Sequence, residues 1–304
     1  MSQQLRLDDL GPCGLLNLNK PAGRTSRRVV DLIERLGRRL KAGHAGTLDP
    51  LATGVLVVCV GTATRLIRYV QQMPKRYEAT FLLGRRSPTD DTEGEVTELA
   101  DPPIPSRDQV LAAAALLTGV ILQRPPAYSA VKVEGQRAYR LARKGHQPDL
   151  APRTVTVHRL EVAAYRYPEV GLRVECSSGT YVRSLGRDLA AALGTAAVMS
   201  ALVRTAVGGF RVEDAVCPDE LTRQNWTEHL LPPLRAVESL PRITLTPPEE
   251  ARVRAGQTIS RPLPVAAPSD PPELAAVDAA GRLVAILRSR GPSLLGPVCN
   301  LPVS

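Results

Sequence analysis

Residues 41–54, Lys-Ala-Gly-His-Ala-Gly-Thr-Leu-Asp-Pro-Leu-Ala-Thr-Gly, constrain the fold more than any other stretch of the chain. Three glycines, a histidine, an aspartate and a proline within 14 residues exclude a regular helix and predict a loop. The run that follows, Val55 to Val60, is wholly apolar and reads as a buried strand. Asp49 lies inside the loop. Two readings of it stand side by side. Asp-Pro is a common turn pair. A carboxylate held near backbone donors can also be kept ionised and aimed, ready to act as nucleophile or base.

The surrounding sequence supplies alternating strands and helices. Leu15 to Leu18 reads as a strand, stopped by Pro21-Ala22-Gly23. Thr25-Ser26 caps a helix running to about Arg38, with Val29, Val30, Ile33 and Leu36 on one face. The opposite face carries Arg27, Arg28, Arg35, Arg38 and Arg39, and reads equally as a solvated face or an RNA-facing one. Thr62 to Val70 and Gln109 to Leu117 are predicted helices, and Arg76 to Leu83 a strand ending at Gly84. Residues 85–95 are predicted to be a loop. Thr154 to Tyr165, Leu172 to Cys176 and Leu202 to Phe210 read as strands, and Tyr181 to Leu193 as a helix with leucines at 185, 189 and 193. Glu220 to His229 and Leu231 to Glu238 are expected to be helical. Helices grouped between antiparallel-looking strands indicate an α+β fold with a mixed, largely antiparallel sheet.

At Pro241 the composition shifts to many prolines and short strand-like runs, Leu274 to Val277 and Leu283 to Leu287. The expected organisation is a leader over 1–12, a main domain over 13–240 and a small β-rich domain over 241–304.

Thirty-nine Lys and Arg against 30 Asp and Glu give a net charge of +9, which points to a polyanionic partner. No apolar run is long enough to cross a membrane, and Met1 to Leu10 has no signal-peptide pattern, so the expected setting is the cytoplasm. The five cysteines are scattered and never spaced as Cys-x-x-Cys, and the four histidines form no His-x-x-x-His pair, so no metal site is expected. No phosphate-binding or dinucleotide glycine motif is present, and no cofactor is expected.

Three further stretches carry candidate chemistry. In Ser177 to Arg183, Tyr181 could stack on a base and Arg183 could hold a distant carboxylate ionised. The plainer reading is a packed tyrosine and a surface arginine. Residues 123–150 interleave Tyr128 and Tyr139 with Lys132, Arg137, Arg140, Arg143 and Lys144, a pattern suited to a nucleic-acid-binding element or to an ordinary basic surface hairpin. Asp90 and Asp91, with Glu93 and Glu95, lack calcium-loop spacing and read as a solvated loop.

Six ordered blocks then resemble the TruB family of tRNA pseudouridine synthases. They are GLLNLNKPAGRTS (14–26), KAGHAGTLDPLATGVLVVCVGTATRL (41–66), KRYEATFLLGRRSPTDDTEGEV (75–96), QRPPAYSAVKVEGQRAYRLARKG (123–145), CSSGTYVRSLGRDLA (176–190) and LVRTAVGGF (202–210). The tail segments ARVRAGQTI and VDAAGRLVAIL resemble a PUA-type RNA-binding domain. The resemblance implies the pseudouridine synthase fold and isomerisation of uridine to pseudouridine at position 55, in the T loop of tRNA, by base flipping and without cofactor or metal.

The same resemblance implies residue roles. Asp49 is the catalytic aspartate, either attacking the anomeric carbon or abstracting a sugar proton. Arg183 pairs with it, and Tyr77 stacks on the flipped uracil. Tyr181 and Leu202 line the pocket, and His44 contacts an everted T-loop nucleotide. Lys20 and Pro21 support the site, with Lys20 counted among the RNA-binding positions together with Lys132, Arg137, Arg140 and Arg143. The segment 124–150 matches an RNA-clamping insert. The expected partner is the T stem-loop of tRNA, bound by a monomer. Departures are Arg27-Arg28, where an aromatic or His followed by Asp is more usual, and Arg65 in place of Lys. A guide-RNA-dependent synthase and a tRNA-folding chaperone are the rival readings. The insert and the lack of a long Lys-rich tail favour the stand-alone enzyme.

Overall fold

The computed structural model describes residues 11–129, 131–133, 136–138, 141, 149–261, 273–291 and 293–301. Strand β1 (Gly14–Lys20) leads through a glycine turn to helix α1 (Ser26–Leu36). The Thr25 hydroxyl accepts from the Arg28 amide and caps that helix. Then come β2 (Ala42–His44), β3 (Thr53–Val60), a 3₁₀ turn over Gly61–Leu66, α2 (Ile67–Gln72) and β4 (Lys75–Leu83). A short ribbon of β5 (Arg85–Arg86) and β6 (Thr97–Glu98) precedes α3 (Arg107–Ala115) and β7 (Gly119–Gln123). The basic insert contributes a two-stranded hairpin, β8 (Lys132–Val133) with β9 (Gln136–Arg137). The main domain finishes with β10 (Arg153–Arg166), β11 (Glu169–Cys176), α4 (Val182–Ala192), β12 (Ala197–Val207) and β13 (Phe210–Arg211).

The large sheet runs β1-β3-β12-β4-β11-β10-β7, with β2 added to β3 and β13 to β12. Every pairing is antiparallel except β3 with β12. The expected mixed, largely antiparallel α+β architecture is therefore present. Period-two alternation divides the strands between two cores. On one face Leu16, Leu18, Leu56, Val58, Ala79, Phe81 and Leu172 pack under α1, α3 and α4. On the other, Leu15, Val55, Val57 and Cys59 pack against Leu66, Val70 and Val237 and against Ala275, Leu283 and Ile286 of the C-terminal region. That is why β3 is apolar without alternation: both its faces are covered.

The C-terminal region is a second sheet, ordered β14-β16-β17-β18-β15. Its strands are β14 (Arg242–Thr244), β15 (Ile259–Ser260), β16 (Glu273–Val277), β17 (Leu283–Gly291) and β18 (Leu294–Asn300), with α5 (Pro247–Arg254) between β14 and β15. Polar contacts join it to the 3₁₀ turn and α2. The Tyr69 hydroxyl and an Arg68 guanidinium nitrogen reach Glu273 at 2.7 and 2.9 Å, and Arg65 donates to the Asn300 carbonyl at 2.7 Å.

Two expectations need correction. Residues 220–238 are not two helices. They form short 3₁₀ turns, Pro218–Glu220, Trp226–His229 and Pro233–Val237, because prolines at 218, 232 and 233 remove backbone donors and stop propagation. Buried Trp226, Ala236 and Val237 pin these turns to the two cores. The stretch 85–95 is not purely loop, since Arg85–Arg86 pairs with Thr97–Glu98.

Candidate active site

One transverse row of the large sheet carries much of the site. Lys20 of β1 lies opposite Gly54 of β3, Gly54 opposite Arg204 of β12, and Arg204 opposite Tyr77 of β4. Gly54 has φ +97°, and a Cβ there would come within 2.3 Å of the Arg204 carbonyl oxygen. Only glycine lets β3 and β12 meet at this point.

The Asp49 loop hangs from this row by side chains reaching backbone. Lys20 is fully buried, and its ammonium donates to the carbonyls of Pro21, Arg24 and Pro50 at 2.8, 2.7 and 3.2 Å. Burial pulls its pKa down to about 8. Arg204 is also buried and donates to Val55 O at 2.7 Å and Gly46 O at 3.1 Å. The Ser26 hydroxyl accepts from Leu48 N at 2.8 Å and donates to Leu48 O at 3.1 Å. Three polar side chains, two of them charged, thus fix the backbone on either side of Asp49. The three amine donors of Lys20 are taken by backbone carbonyls, two in the turn before α1 and one in the Asp49 loop, so the side chain supports the site.

Arg183 meets Asp49 from the first turn of α4. Its Nε lies 3.1 Å from Asp49 Oδ2, and its Nη1 lies 3.4 Å from Asp91 Oδ2. Its remaining donors serve Thr89 O at 2.7 Å and Tyr128 O at 3.0 Å. A cation in the first turn of a helix opposes the helix dipole, and this one is only 6% exposed. Two carboxylates and two carbonyls compensate that cost. The expected pairing of Arg183 with Asp49 is present, and the reading of Arg183 as a surface residue fails.

Asp91 overturns the reading of its segment as solvated. It is 2% exposed, and its Oδ1 accepts from the Thr89 hydroxyl at 2.5 Å and the Glu93 amide at 3.1 Å. A bridge to Met199 of β12 draws the segment inward. Asp90 beside it faces Arg187, one turn along α4, at 3.3 Å. Arg187 and Ser184 also donate to Arg124 O. The first turns of α4 therefore grip both the acidic segment and the base of the insert.

Asp49 is the least enclosed of the three charged groups, with 32% of its side chain exposed. Burial pushes its carboxyl above the usual range; the Arg183 guanidinium pulls the other way, and the Asp91 carboxylate adds to the push. Tyr77, half-buried, packs on the core containing Leu202, and burial raises its phenol. Leu202 is 7% exposed, opposite Ala79 on β4. Tyr181 precedes α4. Its backbone exchanges hydrogen bonds with the Gln123 side chain, and its ring carries the Arg153 guanidinium at 4.5 Å. His44 stands on β2 with its Nδ1 buried and unpartnered among the described residues. Burial and the Arg204 charge hold its imidazole below the ordinary pKa. Lys132 and Arg137 are register partners in the β8–β9 hairpin, while Arg140 and Arg143 lie outside the described residues.

Arg204 was not singled out from the sequence, Ser26 was read only as part of a helix cap, and Asp91 was read as solvated. Arg204 had a signal, a lone cation inside the apolar run Ala201 to Val207 apart from Thr205. Asp91 had none, because its partner is 92 positions away. Among the described residues no group of three or more His, Cys, Asp or Glu could hold a metal ion.

Known proteins resemble this chain in sequence and fold. The model of the TruB family pseudouridylate synthase N-terminal domain matches residues 34–182. "tRNA pseudouridine synthase B" of Thermobifida fusca is 45% identical over 288 residues, covering 92% of this chain and 96% of its own. The protein of the same name from Paenarthrobacter aurescens is 42% identical, covering 91% and 92%. A chain of a Cbf5-Nop10-Gar1 complex is 28% identical with a TM-score of 0.72, covering 96% of this chain and 82% of its own. A chain of the archaeal box H/ACA sRNP Nop10-Cbf5 complex is 26% identical with a TM-score of 0.74, covering 99% and 89%. Identity at this level across nearly the whole length places the chain in a family: it belongs to the TruB family of pseudouridylate synthases.

Proposed function

We propose that the protein isomerises uridine to pseudouridine in tRNA, at position 55 of the T loop, with Asp49 as the catalytic carboxylate. The observation that carries this reading is the 3.1 Å pairing of Asp49 with Arg183 at a part-exposed carboxylate whose loop is held by Lys20, Ser26 and Arg204. The reaction breaks the glycosidic N–C bond, turns the uracil and joins its C5 to the anomeric carbon, with loss of the C5 hydrogen as a proton. Asp49 takes part as an anion, attacking the anomeric carbon or removing a sugar proton. Arg183 keeps it ionised against its burial and fixes its direction.

The target base must leave its stack to reach this carboxylate. Tyr77, in the row from which the Asp49 loop hangs, offers the aromatic face, with Leu202 on the same core and Tyr181 at the start of α4. His44, neutral at pH 7, presents an imidazole to the everted nucleotides. The basic insert, including Lys132, Arg137, Arg140 and Arg143, closes over the RNA, and its base is tied to α4 through Arg124 and Tyr128. The C-terminal sheet serves as a PUA-like RNA-binding module. The enzyme works as a monomer in the cytoplasm; no helix among the described residues is long and apolar enough to cross a membrane. The curated relatives' names favour tRNA as the substrate, and the guide-dependent reading is set aside on that ground.

The test is nucleoside analysis of an unmodified tRNA transcript after incubation with the enzyme alone. One pseudouridine per tRNA is expected, abolished when the T-loop uridine is replaced by cytidine. Product that survives the replacement contradicts the assignment, as does a requirement for added guide RNA.

A further inference from the structure

Four arginines that the proposed reaction does not use gather at the far end of α1. Arg35, Arg38, Arg39 and Arg223 line a groove of about 390 Å³. All four are exposed, and among the described residues none of them makes an ion pair. Three carboxylates of the same segments are already paired: Asp31 and Glu34 with Arg27, and Asp219 with Arg24. Four uncompensated guanidiniums around one groove repel each other unless an anion lies between them.

The backbone holds them there at a cost. Arg38 and Arg39 both adopt left-handed conformations, at φ 52° and 70°. Such a geometry is strained for a non-glycine residue. It is enforced by Arg39 N donating to Glu34 O at 2.6 Å and Leu40 N donating to Gly37 O at 3.0 Å. Arg223 is supplied by a separate segment. The Thr222 and Asn225 side chains bond each other's amides, and Trp226 packs at the α1 terminus, 3.4 Å from where a Gly37 Cβ would stand. Arg28 and Arg35, two turns apart on the exposed face of α1, extend the positive stripe toward the Asp49 loop. The helix start touches that loop through Ser26. Eleven residues at about 1.5 Å each put the groove roughly 16 Å further on.

We propose that Arg35, Arg38, Arg39 and Arg223 bind consecutive phosphates of the tRNA backbone outside the T loop, as a second anchor that sets how the tRNA lies while one base is in the active site. Planar guanidiniums suit phosphate oxygens bidentately. This rests on tRNA being the substrate.

The test uses the full chain and a complete tRNA transcript. The quadruple variant R35Q, R38N, R39N, R223Q keeps asparagine where φ is positive, since asparagine tolerates that region. Its affinity should fall by about tenfold or more, and the slope of log K against log salt should become shallower by about 3. The saturating single-turnover rate should stay within twofold. Phosphate-ethylation interference should reveal a cluster of sensitive phosphates away from the T loop with the wild type, and that cluster alone should vanish with the variant. The quadruple lysine variant should retain most of the affinity. An unchanged interference pattern, or unchanged affinity and slope, overturns the proposal; weaker binding with an intact pattern assigns the effect to the general field of the protein and overturns it too. Tritium release by the wild type, run in parallel, separates these outcomes from failure of the substrate assignment.

Discussion

Replacing Arg183 by methionine removes the cation and leaves most of the volume. The structure sets the size of the effect. Arg183 lies 3.1 Å from Asp49 and 3.4 Å from Asp91, and Asp91 is almost fully enclosed. At an effective dielectric near 20, a unit pair at 3.1 Å attracts by about 5 kcal/mol. Asp49 is one-third exposed, so water recovers part of that for its carboxylate. Losing one partner of a buried pair costs about 3–5 kcal/mol, and the lower end, about 3 kcal/mol, is expected here. Without the cation the Asp49 carboxyl rises further above its unfolded value. A carboxyl whose folded pKa is raised destabilises the fold once pH exceeds the unfolded pKa, and the penalty is relieved as pH falls. The stability gap between wild type and Arg183→Met should therefore be widest near pH 7.5 and narrow toward pH 5, measured by urea unfolding at both. The single-turnover rate at pH 7.5 should fall by about a hundredfold or more, because Asp49 is then both less ionised and less directed. Equal stabilities at pH 7.5, or a gap that widens on acidification, would refute the electrostatic account of the site.

Other perturbations separate the parts of this network. Asp91→Asn removes the like charge beside Asp49, so the acid limb of the rate–pH profile should move to lower pH; a limb that stays put contradicts the coupling. Lys20→Met strands the carbonyls of Pro21, Arg24 and Pro50, and should cost about 2–4 kcal/mol in urea unfolding. The same variant should leave tRNA affinity in filter binding within about twofold; a tenfold loss would mark Lys20 as a phosphate contact. Gly186→Ala drives a methyl to 1.9 Å from the Phe81 ring and should destabilise by about 2–3 kcal/mol, seen in the melting temperature, with activity lost as α4 and Arg183 shift.

The sequence made the elements around the site legible, and their local chemistry explains why. Thr25 capping α1, the glycine-proline loop before β3 and the alternation of β4 and β11 are signals within ten residues. Asp49 and Arg183 stood out in their own segments with a plainer reading beside each, whereas their roles, and Lys20 and Tyr77 altogether, were reached by resemblance. The physics that overrode the plainer reading of Arg183 is long-range: α4 must deliver its arginine to carboxylates 134 and 92 positions earlier. Asp91 was misread for the same reason. A run of acidic and hydroxyl residues is normally solvated, and here the bridge to Met199 turns it inward. Residues 220–238, expected to be helical, form only single turns because prolines at 218, 232 and 233 stop propagation.

The most direct measurement is tritium release from a tRNA transcript labelled at C5 of uridine, comparing wild type with Asp49→Asn. Bond formation at C5 must expel that hydrogen. The account predicts release of one equivalent by the wild type, and none by the variant despite tRNA affinity within about twofold. Release by the variant at a comparable rate would contradict Asp49 as the reacting carboxylate.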